Sequence, residues 1–190
     1  MTTIVAVRKD QNLILLADTQ YTRTGGTTGE VLKIGGGKDY LIGASGNMTL
    51  LAMLWGFVGE EPQLGNTYVS VYGKCVALRD KVKTVIWDDN ERRCGNDSII
   101  VMTKVGCFVI TPFGITIEPT PTAIGSGSLT FNILNQPGVT CDPVSSCGSV
   151  DMLRPLADTF ERAVEIDVYS SGFSGASLAL DTEIITRLYQ

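Results

Sequence analysis

Two almost uninterrupted apolar runs open the chain, TIVAVR at residues 3–8 and LILLA at residues 13–17, with the turn-forming KDQN between them. β-Branched residues suit extended backbone, and the spacing predicts a hairpin. A strand with one wet face alternates apolar and polar side chains. LILLA does not alternate, so the hairpin should be covered on both faces.

The rest of the chain supplies the cover. YTRTGGTTGE reads as a loop of small polar residues, and a third strand is expected over 31–34. GGGKD makes a turn, and YLIGA at 40–44 resumes the sheet. From Asn47 the pattern becomes helical, with Met48, Leu51, Met53, Leu54 and Trp55 as its expected buried side chains, until GEEPQLGN breaks it. Val71, Cys75, Leu78, Val82 and Val85 then recur at steps of three or four and predict a second helix. Lys74, Arg79, Asp80 and Lys83 form its wet face, and WDDNERRCGND is a polar connection. SIIVM, CFVIT and GITIE read as strands joined by glycine turns. AIGSGS leads to a short helix near 129–134, NQPGVTCDPVSSCGS is irregular, and 150–165 predicts another helix. SGASLALDTEIITRLY closes the chain as one or two strands. No repeat or linker divides residues 1–190, so one domain is expected. Two sheets packed face to face, with helices outside, satisfy this order, because each sheet must bury at least one face.

Composition narrows the chemistry. Hydrophobic residues make up 44% and charged residues 18%, a globular balance rather than a disordered one. A net charge of -5 opposes a general nucleic-acid binder. No apolar run is long enough to span a bilayer. The first residues lack the basic start and apolar middle of a secretory signal. The expectation is a cytoplasmic protein that engages neither nucleic acid nor membrane. Five cysteines, an odd number with no C-x-x-C pair, do not suggest a disulfide scaffold. Cys141 and Cys147, in CDPVSSC, are either free thiols or a bridge formed in an oxidising setting. The sequence contains no histidine. A Ser-His-Asp triad, a Cys-His pair and a His-ligated zinc are therefore impossible. The base of any hydrolase here must be a carboxylate, a lysine or an amino terminus.

That requirement points to Met1-Thr2-Thr3. Methionine before a small residue is normally removed after synthesis, which would leave Thr2 with a free α-amine beside its own hydroxyl. The reference pKa of an α-amine is ~8, so a good part of it is neutral at physiological pH and can act as the base. Further along, LLADTQ, VLKI, AIGSGS and DVYSSG follow TTIVAVR in order. Together these five stretches resemble the proteasome-type threonine peptidases, nearest to the bacterial HslV branch.

The resemblance implies an α+β fold, the four-layer α-β-β-α sandwich of N-terminal-nucleophile hydrolases. It implies that Thr2 is nucleophile and base, with Lys33 of VLKI as the positive charge beside it and Asp18 of LLADTQ as the carboxylate that pairs with that lysine. Ser126 of GSG matches the serine that hydrogen-bonds near the threonine amine. Asp167 and Ser170 of DVYSS match a supporting Asp-x-x-Ser. Gly46 is the expected backbone donor to the oxyanion. No cofactor is required, and backbone carbonyls near Val164, Asp167 and Ser170 suit a structural monovalent or divalent cation. The implied partners are a homo-oligomeric ring, an ATP-dependent unfoldase ring and unfolded polypeptide substrate.

Plainer roles stay open beside these. Lys33 suits a surface, Asp18 a strand end, GSG a helix cap, and Asp167 with Ser170 a helix terminus. The chain also departs from the HslV pattern. It reads Ala17-Asp18-Thr19 where Gly-Asp-Gly is usual, and the stretch around Cys141 resembles an insertion. With Met1 retained, Thr2 carries an amide rather than an amine. The alternative is then a catalytically inactive scaffold of the same fold, such as a phage-encoded subunit. A third reading is an amidase acting on a small molecule.

Overall fold

The computed structural model describes residues 2–9, 12–22, 28–87, 97–134, 174–179 and 184–188. The opening hairpin is β1 (Thr3–Lys9) and β2 (Asn12–Ala17), in register from Ile4↔Ala17 to Lys9↔Asn12. β10 (Thr122–Gly125) pairs with the outer edge of β1. β11 (Ser174–Ala179) pairs with β2, and β12 (Ile184–Leu188) with β11. The result is a five-stranded antiparallel sheet, in the order β10-β1-β2-β11-β12.

The second five-stranded sheet is a meander of β5 (Ile34–Gly36), β6 (Tyr40–Ser45), β7 (Ser98–Thr103), β8 (Gly106–Thr111) and β9 (Gly114–Glu118). Helices α1 (Met48–Glu60) and α2 (Tyr68–Val82) lie between β6 and β7 in sequence. Asn47 caps α1 through Leu50 N–H at 2.9 Å, and Thr67 caps α2 through Ser70 N–H at 3.3 Å.

Strand alternation sorts the side chains into layers. Ile4, Ala6, Leu13, Leu15 and Ala17 of the first sheet meet Leu41, Ile100, Met102 and Cys107 of the second. Val5, Ile14 and Leu16 face the other way, onto Phe131 of α3 (Ser128–Leu134). Tyr40, Ile42, Ile99, Val101, Phe108 and Ile110 face Leu50, Leu54, Val71 and Leu78 of α1 and α2. The layers run helix, sheet, sheet, helix, as the order of elements predicted.

Several local expectations differ from the structure. Residues 31–33 belong to no strand. Val31 N–H bonds the Thr19 carbonyl at 2.8 Å, and the strand begins at Ile34. The polar stretch read as a loop contains a ribbon of β3 (Gln20–Thr22) and β4 (Thr28–Glu30), which carries no hydrophobic pattern to reveal it. β10 was hidden in the same way, because Ile124 is its one buried apolar residue. In α1, Met48 and Trp55 are exposed, and Leu50 and Phe57 fill the core in their place. α2 continues into a π-helical turn, Lys83–Trp87. The wider turn rotates the stripe. Val85 is therefore 60% exposed, while Trp87 is fully buried. The expected helix over 150–165 lies outside the described residues.

Candidate active site

The first strand ends of the sheet bring the site together. Because Ile4 pairs with Ala17, the next residue pair along the ladder is Thr3 and Asp18. Asp18 N–H donates to the Thr3 carbonyl at 3.1 Å. Thr3 N–H donates to Asp18 Oδ1 at 2.6 Å, which ties this carboxylate to the Thr2–Thr3 peptide. Its other oxygen, Oδ2, accepts from Lys33 Nζ at 2.8 Å. Lys33 also donates to the Gln20 carbonyl. Lys33 is held from its backbone as well, its carbonyl accepting from Ala44 N–H of β6 at 3.1 Å.

This ion pair is sealed from water, with Lys33 1% and Asp18 0% exposed. Burial pushes the Asp18 carboxyl above the ordinary carboxylate range, and the Lys33 charge, its hydrogen bond and the Thr3 N–H oppose that shift. A surface role for Lys33 is therefore ruled out by its position.

The third wall is the end of β10. Ser126 N–H donates to the Thr2 carbonyl at 2.7 Å, and Ser126 Oγ lies 3.4 Å from the same oxygen. Gly125 permits this approach. Its φ is +92°, and a Cβ there would fall 1.8 Å from the Thr2 carbonyl oxygen and 2.9 Å from Ser45 Oγ. Thr2, itself 3% exposed, thus lies where β1, β10 and the end of β6 converge.

Comparison with solved structures matches this fold over nearly the whole chain. HslV from Trypanosoma brucei superposes with a TM-score of 0.66 at 22% identity, covering 93% of this chain and 99% of that one. BPH from Thiobacillus denitrificans, solved in complex with epoxomicin, gives 0.65 at 18% identity, over 94% and 98% of the two chains. Anbu from Hyphomicrobium sp. strain MC1, as a Gly-1 mutant, gives 0.69 at 16% identity, over 98% and 87%. The chain has the proteasome-type N-terminal-nucleophile hydrolase fold. No family model matches the sequence, and no curated protein does.

Within the proteasome-type fold, Thr2, Asp18, Lys33 and Ser126 are brought to one end of the first sheet. Ser126 meets the carbonyl side of Thr2, through both its N–H and its hydroxyl. Gly46 follows Ser45 at the end of β6, on the same side. Asp167, Ser170 and the carbonyl of Val164 lie outside the described residues, as do Cys141 and Cys147. Among the described residues, no group of three or more His, Cys, Asp and Glu could hold a metal ion. Three contributors escaped sequence reading: Gln20 through its carbonyl, Ser45 and Gly125. Backbone groups carry no side-chain signature. Gly125 stands inside the AIGSGS stretch, where the freedom of a glycine to take positive φ is the signal available.

Proposed function

We propose that this chain is a threonine-type endopeptidase subunit, active once removal of Met1 exposes the Thr2 amine. The observation that carries the reading is the buried Lys33–Asp18 pair bound to the Thr2–Thr3 peptide, in a chain without histidine. A sealed ammonium ion paired with the carboxylate that holds the Thr2–Thr3 peptide would favour the neutral form of the Thr2 amine and the developing alkoxide. The Thr2 amine takes the proton from the Thr2 hydroxyl as Oγ attacks a peptide carbonyl. The Gly46 N–H stabilises the oxyanion. The proton passes to the leaving amine, and an acyl-enzyme ester remains. Water, deprotonated by the same Thr2 amine, hydrolyses the ester and restores the site. Ser126, with Asp167 and Ser170, would orient the terminal residue, and carbonyls of Val164, Asp167 and Ser170 would hold a structural cation.

The same reading places copies of the chain in a homo-oligomeric ring in the cytoplasm, fed with unfolded polypeptide by an ATP-dependent unfoldase ring. Hiding the sites inside a ring would protect cellular proteins from them. Among the described residues, no helix is long and apolar enough to cross a membrane. An inactive scaffold of the same fold that retains Met1 is the second reading, since Thr2 then carries an amide in place of the amine that must act as base.

Intact-mass measurement and peptide hydrolysis separate the two. The peptidase reading expects loss of one methionine and turnover by wild type, abolished by Thr2→Ala. It also expects binding of epoxomicin, the compound in complex with BPH, read by native mass spectrometry. A retained methionine with no turnover overturns it in favour of the scaffold.

A further inference from the structure

We infer that Asp97 is the positioning residue of the oxyanion turn, holding Gly46 N–H in its working orientation. This role rests on the peptidase reading, although the geometry behind it does not. Asp97 comes from WDDNERRCGND, which carried no function as sequence. In the structure the β6–β7 ladder ends at Ser45↔Ser98, so Asp97 stands directly across from Gly46. It is 7% exposed.

Two donors converge on its carboxylate. Trp87 Nε1 donates to Oδ2 at 3.3 Å, and Asn47 Nδ2 donates to the same oxygen at 3.2 Å. The other oxygen lies against Gly46 itself, where a Cβ would fall 2.2 Å from Asp97 Oδ1. Gly46 has φ +144°, a conformation left to glycine, so the relative tilt of the peptides on either side of it is set by outside contacts.

A carboxylate is the side chain suited to this position. It accepts at both oxygens and donates nothing, so it can receive N–H groups from two directions. By holding the Asn47 side chain and packing on the Gly46 α-carbon, Asp97 restricts the turn at Gly46 and with it the Ser45–Gly46 peptide, whose N–H is the one aimed at the oxyanion. Asn47 extends the brace into the helix, since its Oδ1 accepts from Leu50 N–H while its Nδ2 serves Asp97. Trp87, fully buried, closes the far side. The N–H that must meet a developing negative charge is thus set in a frame of strand, helix and indole before substrate arrives. Such preorganisation is what gives an oxyanion donor its effect.

The test compares full-length wild type, Asp97→Asn and Trp87→Phe for hydrolysis of one fluorogenic peptide, with thermal melts alongside. Asp97→Asn keeps the volume but turns one acceptor oxygen into a donor that faces other donors. Its kcat should fall on the order of 10- to 100-fold while KM stays within about 3-fold, because the lost contact acts on the transition state. Trp87→Phe keeps most of the ring and removes one donor, and should lower kcat by about 3- to 10-fold, again with little change in KM. A purely structural role would lower the melting temperature and the active fraction without separating the two variants from equally destabilised core variants such as Ile42→Val. If folded Asp97→Asn retains wild-type kcat, the positioning role is overturned and the peptidase reading stands. Should Asp97→Asn fail to fold, Trp87→Phe decides, and an unchanged kcat there overturns the role. A processed wild type that neither cleaves peptide nor binds epoxomicin overturns both.

Discussion

Replacing Lys33 with methionine would keep most of the side-chain volume and remove the charge that faces Asp18. In the folded protein Asp18 is 0% exposed, with one oxygen 2.8 Å from Lys33 Nζ and the other 2.6 Å from Thr3 N–H. The substitution leaves a buried carboxylate held by the Thr3 N–H. Breaking a buried pair in this one-sided way typically costs ~3–5 kcal/mol, far more than removing a surface pair. For a chain of this size that corresponds to a fall in melting temperature of roughly 6–20 °C. The loss should depend on pH with a definite sign. Burial already raises the Asp18 pKa in the folded protein, and removing Lys33 raises it further. A carboxyl whose folded pKa is raised contributes fully below its unfolded pKa, near ~3.9, and the contribution is lost as pH rises through the folded value. The cost of Lys33→Met should therefore be largest at neutral pH and shrink toward pH ~4. Urea titrations across that range, monitored by tryptophan fluorescence, measure it. The double variant Asp18→Asn/Lys33→Met, with neither charge left, should be at least as stable at pH ~7 as Lys33→Met alone. A neutral-pH loss below about 1 kcal/mol, or a loss that does not shrink in acid, would refute the sealed ion pair as the element that organises this site.

Gly125→Ala places a methyl group 1.8 Å from the Thr2 carbonyl oxygen at a residue with φ +92°, and should destabilise by about 2 kcal/mol or more in the same urea titration. It should also remove turnover, since β10 must withdraw from Thr2. Cys75 and Cys107 are buried, and burial pushes both thiols up to about 12. Peptide mapping after iodoacetamide treatment at pH ~8 should find both unmodified in native protein and both alkylated in denaturant.

Much of the fold was legible in the order of residues because burial leaves a periodic trace. The unbroken run in LILLA required cover on both faces, and Leu13, Leu15 and Ala17 do face the second sheet while Ile14 and Leu16 face α3. Val71, Cys75, Leu78 and Val82 were spaced as one helical face and are the buried face of α2. The stripe failed at Val85 because a π-helical turn changes the period, and that change belongs to the backbone rather than to any residue type. The β3–β4 ribbon and β10 are held through backbone bonds and carry too little apolar pattern to be read from the residues.

For the site, the sequence alone settled what the chemistry could not be. A chain without histidine has a short set of bases to draw on, and Thr2, Asp18, Lys33 and Ser126 were readable as motif residues. Tertiary structure alone decided that the Lys33 ammonium is sealed against Asp18, that this carboxylate holds the Thr2–Thr3 peptide, and that Ser126 faces the Thr2 carbonyl. It alone brought Asp97 across from Gly46, a neighbour fifty-one positions away that no local pattern could announce. The division has a physical cause. Periodicity records which face of an element is dry, whereas a site is made where strand ends from distant parts of the chain meet, and their register is set by the packing of the whole.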